Sequence, residues 1–329
     1  MNPLLQPHQL NEIKKNLPGG VVENADLSEM SRWKIGGSAD CLIRPSGTED
    51  VARLVSYLTA QDIPFIVIGS TSNLLFADEG LRIPCIQIGD KMCDFRESDD
   101  TLWGQSGIWM PFFARKAAQN GFSGIEHTAG IPGTLGGLIC MNGGSQRKGI
   151  GSHIETVTAV APDGEIKEFS REECGFAYRT SVFQENGYII TEALLRFTER
   201  RPYQEIRDEM LEILISRRKK FPQKLPNCGS TFISNPQIYV KYGPPGKVIE
   251  DLGYKGFRKG DAVVSEEHAN FINNEGNAKA ADVLWLIRKI RKDVENKTGF
   301  EMKAEVKFID QFGVIKAAHL VDERVIADS

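Results

Sequence analysis

The sequence predicts an α+β protein in two domains, and three observations carry that expectation. A chain of 329 residues, 41% of them hydrophobic and 26% charged, is long enough for two cores at about 100–200 residues per domain. Up to about residue 200, short β-branched runs alternate with amphipathic helical patterns; beyond Arg200 the texture shifts to longer charged helices. The chain is accordingly divided into an N-terminal segment, 1–30, a first domain, 31–200, a second α+β domain, 201–309, and a tail, 310–329.

Ala39-Asp40-Cys41-Leu42-Ile43-Arg44 reads as a short strand and Pro45-Ser46-Gly47 as a turn. Val51, Leu54, Val55 and Leu58 then recur at i, i+3, i+4, i+7, which is one face of a helix, with Thr48 as N-cap and acids in the first turn. Pro64-Phe65-Ile66-Val67-Ile68 is short, apolar and β-branched, as a buried strand is, and it delivers the small-residue loop Gly69-Ser70-Thr71-Ser72-Asn73. Pro111 starts and Gly121 follows a helix over residues 112–119, and Pro162-Asp163-Gly164 turns a hairpin between 157–160 and 165–169. Residues 205–220 place Ile206, Met210, Ile213 and Leu214 on one helical face and end in Arg217-Arg218-Lys219-Lys220. A further helix over 279–297 carries Val283, Leu286, Ile287, Ile290 and Val294 and stops at Gly299, after which 304–309 alternates like a strand. The last twenty residues carry no motif, and no internal repeat is visible.

Charge and composition remove several function classes. With 40 Lys and Arg against 44 Asp and Glu, the net charge of -4 provides no positive field for a nucleic-acid backbone. The most apolar stretch, 63–77, contains Ser, Thr and Asn and falls short of the roughly 18 apolar residues of a membrane helix. Met1-Asn2-Pro3-Leu4-Leu5 has neither a basic leader nor an apolar run, so the expected address is cytoplasmic. The cysteines at 41, 85, 93, 140, 174 and 228 form no Cys-x-x-Cys pair and read as reduced, and five histidines without ligand spacing predict no metal site.

Ten of the 32 glycines fall between Gly121 and Gly151, which requires close backbone approach there. No Gly-x-x-x-x-Gly-Lys-Ser/Thr or strand-linked Gly-x-Gly-x-x-Gly occurs, so neither a P-loop nor an ordinary dinucleotide fold is expected. The run Ala129-Gly130-Ile131-Pro132-Gly133-Thr134-Leu135-Gly136-Gly137, followed by Met141-Asn142-Gly143-Gly144, serves equally as a tight chain crossing or as a cradle that turns N–H groups toward a ligand. The Gly69 to Asn73 loop adds weight to the cradle, since two small-residue loops then supply donors to one cleft.

Six motifs in one order resemble the UDP-N-acetylenolpyruvoylglucosamine reductase family over about residues 31–309. They are Ser31-Arg32-Trp33-Lys34-Ile35-Gly36-Gly37, the strand and loop through Asn73-Leu74-Leu75, the Gly-Ile-Pro-Gly-Thr run, Phe176-Ala177-Tyr178-Arg179-Thr180-Ser181, Gly229-Ser230-Thr231-Phe232 and Ser265-Glu266-Glu267-His268-Ala269-Asn270-Phe271-Ile272. The resemblance implies an FAD-binding domain of the vanillyl-alcohol-oxidase (PCMH) type and a C-terminal α+β substrate domain. The absence of an inserted tyrosine loop resembles the shorter, second type of the family. It further implies that NADPH reduces FAD and leaves, and that the enolpyruvyl ether of UDP-N-acetylglucosamine then accepts hydride from flavin N5. Charge developing on the neighbouring carbon and carboxylate must be stabilised and given one proton.

By resemblance, Arg179 faces that carboxylate, Ser230 donates the proton, and Glu305 partners the enolic carboxylate. FAD is expected on Ile68, Gly69, Ser70, Thr71, Ser72, Asn73 and Leu74, and on Gly130, Ile131, Pro132, Gly133, Thr134, Gly136, Gly137, Asn142 and Gly143. Arg217, Arg218, Asn235, His268 and Asn270 are expected on the substrate, a small-molecule sugar nucleotide. Each has a plainer reading. Arg179 is otherwise a surface cation, Ser230 a serine bonded to its own turn, Glu305 a solvated strand residue beside Lys307, and 217–220 a basic helix end. Two departures stand out: Gly69-Ser70-Thr71-Ser72-Asn73 replaces Gly-Gly-Gly-Ser-Asn, and Phe232-Ile233-Ser234-Asn235-Pro236 lacks the family's lysine and is one residue longer. A diverged flavoenzyme acting on another sugar nucleotide, and a flavin-binding protein without turnover, are the alternatives; oligomeric state is left open.

Overall fold

The computed structural model describes residues 5–17 and 19–322. Residues 1–4, read above for a leader, and 323–329 of the tail lie outside the described residues. The backbone forms two compact units, each assembled from separated stretches: 1–22, 41–70 and 84–217 in the first, 23–40, 71–83 and 218–329 in the second.

In the first unit, the end of the strand Ser38–Ile43 from Cys41 on, Cys85–Gln87 and Ile66–Ile68 run parallel, with Cys85 paired to Leu42 on one side and Ile66 on the other. Parallel neighbours need a crossover, and the helix Thr48–Ala60 supplies it. Its predicted face (Val51, Leu54, Val55 and Leu58) is buried in a core with Ile43, Ile86 and Val160. The helix begins one residue earlier than expected, with Gly47 as N-cap, so Thr48 is already helical; its hydroxyl donates instead to Glu192 Oε1 at 2.6 Å. A five-stranded antiparallel sheet follows, in the order Phe95–Ser98, Thr101–Gln105, Ile189–Arg196, Ile154–Val160, Ile166–Ser170. The predicted hairpin closes between Val160 and Ile166, with Gly164 at φ +96° making the turn that other residues resist. Helices Met110–Gln119 and Leu135–Cys140 bury Phe113, Leu135 and Ile139 in the core of this unit.

In the second unit, Ala280–Thr298 buries Val283, Leu286, Ile287, Ile290 and Val294, and Gly299 at φ +75° ends it by donating its N–H to Glu295 C=O at 2.8 Å. The strand expected over 304–309 is shorter: Ala304 bridges Phe232, and regular pairing begins at Lys307–Ile309. That strand pairs parallel with Leu74–Phe76 and antiparallel with Ile315–Ala317. The last boundary between the units falls between 217 and 218, inside the helix Tyr203–Lys220; 71–83 and 23–40 belong with the second unit because Leu74–Phe76 is the sheet partner of a C-terminal strand and Trp33 donates its indole N–H to Ile272 C=O at 2.7 Å. Part of the tail belongs to the same unit through Ile315–Ala317. Among the described residues no helix is long and apolar enough to cross a membrane.

Candidate active site

In the first unit, the two glycine-bearing loops meet at Thr134. A Cβ on Gly69 would come within 2.8 Å of Thr134 Oγ1, so glycine is what lets the first loop approach the Ile131–Thr134 run. Thr134 also caps the helix Leu135–Cys140, its Oγ1 accepting from Gly137 N–H at 3.3 Å. The neighbouring amides are engaged by protein: Leu135 N–H donates to Ile108 C=O at 2.9 Å and Gly136 N–H to Ser106 C=O at 2.8 Å. A Cβ on Gly136 would lie 2.7 Å from Ser106 Cβ, so the glycine there permits one chain to cross another. The run read above as crossing or cradle thus serves as a crossing at 135–137.

The Gly69 to Asn73 loop differs. Among the described residues none of its N–H groups donates a hydrogen bond. Thr71, one of the two departures from the family loop, adopts φ +54°, the left-handed conformation that glycine supplies without strain. Its side chain is 3% exposed and Oγ1 donates to Met30 C=O at 2.9 Å, so the added atoms pack into protein. A small-residue loop with unengaged amides fits the phosphates of FAD, and the approach of Gly69 to Thr134 fits a cofactor laid along both loops.

Arg179 occupies the tip of a turn in which Ala177 and Thr180 exchange backbone hydrogen bonds at 3.0 and 3.1 Å. It has φ +57°, a strained state for a residue with a long side chain. The turn is anchored to the end of the Leu135–Cys140 helix: Ser181 Oγ and Gln184 Nε2 donate to Cys140 C=O at 2.7 and 3.0 Å, and Gln184 Nε2 also to Arg179 C=O at 2.9 Å. Asn142, expected at the cofactor, accepts from Gly151 N–H at 3.0 Å and donates to Ala177 C=O at 2.8 Å, which braces the same turn. The stem of Arg217 lies over Gly130, where a Cβ would sit 2.5 Å from Arg217 Cδ. Burial and then the charge of Arg179 lower the pKa of Arg217 from its ordinary value, so the two guanidiniums feel one another. Such a pair suits an anionic ligand. Three residues before Gly130, buried His127 accepts from Ser145 N–H on Nδ1 at 3.3 Å and from Ser145 Oγ on its carbonyl at 2.6 Å. Burial, then the charges of Lys148 and His153, lower its pKa to about 4, leaving it neutral near pH 7.

In the second unit, Ser230 follows Gly229, whose φ of +77° requires glycine although nothing crowds its Cβ position. Asn227 Oδ1 closes this turn by accepting from Gly229 N–H at 3.0 Å. The two residues after Ser230 are tied by backbone to Glu305 and its neighbour: Thr231 C=O accepts from Glu305 N–H at 2.8 Å, and Phe232 bridges Ala304. Asn73 joins the same neighbourhood, its carbonyl accepting from Lys307 N–H at 3.0 Å. Glu305 and Lys307 are half-buried while Val306 and Phe308 are buried, the alternation expected.

The other expected substrate residues have protein partners. Asn235 caps the helix Pro236–Tyr242 by accepting from Gln237 N–H at 2.9 Å. His268 packs against Phe221 and Phe271, and its Nδ1 accepts from Asn270 N–H at 3.2 Å. Asn270 hydrogen-bonds the backbone of Phe232 in both directions. Arg218 is exposed. Gln184, Asn227 and Cys228 escaped the sequence reading because single residues outside a periodic pattern carry no spacing signal; Cys228 lies 3.6 and 3.5 Å from the carbonyls of Thr71 and Leu74.

Residues 39–170 match the family model of the FAD binding domain, and residues 221–309 that of the UDP-N-acetylenolpyruvoylglucosamine reductase C-terminal domain. UDP-N-acetylenolpyruvoylglucosamine reductase 1 of Corynebacterium glutamicum is 42% identical over 295 residues, covering 90% of this chain and 88% of the relative. The enzyme of that name from Syntrophomonas wolfei subsp. wolfei is 35% identical over 294 residues, covering 89% and 96%. The crystal structure of UDP-N-acetylenolpyruvylglucosamine reductase from Thermus caldophilus superposes with a TM-score of 0.73 at 30% identity, covering 86% of this chain and 97% of that one.

Proposed function

The chain belongs to the UDP-N-acetylenolpyruvoylglucosamine reductase family, and from that membership we propose the reaction its residues carry out. It is an FAD-dependent oxidoreductase that uses NADPH to reduce the enolpyruvyl group of UDP-N-acetylenolpyruvoylglucosamine to UDP-N-acetylmuramate, a peptidoglycan precursor. We place the reaction in the cytoplasm.

Bound FAD would supply hydride chemistry, taking two electrons from NADPH for delivery to the terminal carbon of the enolpyruvyl double bond. The Arg179 guanidinium receives the substrate carboxylate as a bidentate partner and holds the charge that grows there. Ser230 Oγ gives its proton to the carbon bearing that carboxylate, which completes the addition of two hydrogens across the bond. Glu305 is the partner of the enolic carboxylate while charge is on it. Arg217, whose stem lies along Gly130, meets the diphosphate. Gly69 to Asn73 and the Gly130 to Thr134 turn hold the cofactor.

The observation supporting this reading most is that Thr231, the residue after Ser230, accepts a hydrogen bond from Glu305 N–H, although the two stretches lie far apart in sequence. Unconnected loop residues have no reason to share a ladder. The test is anaerobic: NADPH should bleach the flavin of the Ser230→Ala variant at close to the wild-type rate, and UDP-N-acetylenolpyruvoylglucosamine should restore the colour on the order of 10²–10⁴ times more slowly. Equal slowing of both half-reactions would remove Ser230 from the chemistry.

A further inference from the structure

We propose that Asn270 is a positioning residue that sets Ser230 in register with Glu305; this rests on the reading above in which Ser230 delivers the proton. Asn270 is 5% exposed and acts on the two residues after Ser230. Its Oδ1 accepts from Phe232 N–H at 3.0 Å, its Nδ2 donates to Phe232 C=O at 3.0 Å, and its own carbonyl accepts from Thr231 N–H at 2.8 Å. On their other edge the same residues meet 303–305: Glu305 N–H donates to Thr231 C=O at 2.8 Å, and Ile233 N–H to Lys303 C=O at 3.0 Å. The segment 231–233 is thus the middle strand of a three-part ladder whose third strand is a single residue. A primary amide can do this because it presents one donor and one acceptor side by side, as a peptide group does.

The two ends of the Ser230 turn are unequal. Gly229 is glycine at φ +77° with nothing within 4 Å of its Cβ position, and on that side the turn is held locally, by the hydrogen bond from Gly229 N–H to Asn227 Oδ1 two residues back. Its register comes from Thr231 and Phe232. Asn270 is in turn fixed by His268 Nδ1, which accepts its N–H at 3.2 Å, and the His268 ring packs against Phe221 and Phe271, which also stack on each other. Removing the amide leaves Phe232 N–H and C=O buried without these partners, and the strand relaxes by a fraction of an ångström. A misplacement of about 1 Å in a reacting group is worth up to about 10²-fold in rate.

The holoenzyme is assayed anaerobically in its two half-reactions. Asn270→Ala should be bleached by NADPH within about twofold of the wild-type rate and reoxidised by UDP-N-acetylenolpyruvoylglucosamine about 10- to 100-fold more slowly, with an enlarged solvent deuterium effect on that step alone. The decisive comparison is Ser230→Ala/Asn270→Ala, which should reoxidise no more slowly than Ser230→Ala, since a residue acting through Ser230 has nothing left to position. If Ser230→Ala is slow while Asn270→Ala is normal, or if the two losses multiply, the inference falls and the reading of Ser230 stands. If Ser230→Ala reoxidises normally, both fall. Should the alanine variant not fold, Asn270→Asp keeps the acceptor for Phe232 N–H and removes the donor to its carbonyl, and the same contrast between half-reactions and the same non-additivity with Ser230→Ala decide the matter.

Discussion

Arg179 carries a left-handed backbone at φ +57° on a turn braced by Asn142, Ser181 and Gln184. Such strain costs on the order of 1–3 kcal/mol and persists where surrounding contacts fix it. Arg179→Ala should therefore lower kcat/KM by about 2.7–4 kcal/mol of transition-state stabilisation, as loss of an oxyanion donor does, while leaving NADPH reduction of the flavin intact. Arg179→Lys should recover little, because a lysine cannot form the two parallel hydrogen bonds of a guanidinium; steady-state kinetics with both variants measure it. At this scale a motif names residues without fixing where their side chains point. Ser230 and Glu305 are marked by their motifs, and the residue after Ser230 accepts the Glu305 N–H. Asn235, His268 and Asn270 sit in equally recognisable motifs, yet their side chains meet the protein's own backbone or rings. A motif records which residue is present, whereas the direction of a side chain depends on hydrogen bonds to residues distant in sequence.

Helices were legible as elements because 3.6-residue periodicity repeats over several turns: 205–220 was expected and Tyr203–Lys220 is found, 279–297 was expected and Ala280–Thr298 is found. Three-residue strands such as Leu74–Phe76 and Lys307–Ile309 are too short for alternation to register, and their pairing with one another left no local trace. The glycine-rich run was legible as close backbone approach, but not as to whether protein or ligand made the approach. Thr134 decides part of that question, since its hydroxyl both faces Gly69 and caps the Leu135–Cys140 helix. Gly69→Ala must push Thr134 Oγ1 away from Gly137 N–H, and loss of such a cap costs about 0.5–2 kcal/mol. Fluorescence titration of the apoprotein should accordingly show weaker FAD binding in Gly69→Ala and near-normal binding in Thr134→Ser, which keeps the capping oxygen.

For the whole molecule, the expectation of two domains rested on a C-terminal change of texture, which carries no sign that the second unit draws on 23–40 and 71–83, because long-range strand partners have no signature in composition. Burial leads the downward pKa shifts of His127, His153, His268 and His319, and that of His127 goes to about 4. With its folded pKa below the unfolded value of about 6.5, the unfolded chain binds more protons between these limits; stability is full above pH 6.5 and is lost as pH falls toward 4. His127 alone accounts for on the order of 3 kcal/mol of that loss. Urea midpoints of the wild type should therefore drop across this interval, and those of His127→Gln should drop less. The parallel pairing of Leu74–Phe76 with Lys307–Ile309 bears on how such a protein is inherited. A gene cut at codon 218 would give a downstream polypeptide without Trp33 or Leu75, which are 0% exposed in its core, so recombination at that junction would not transmit a self-sufficient substrate module.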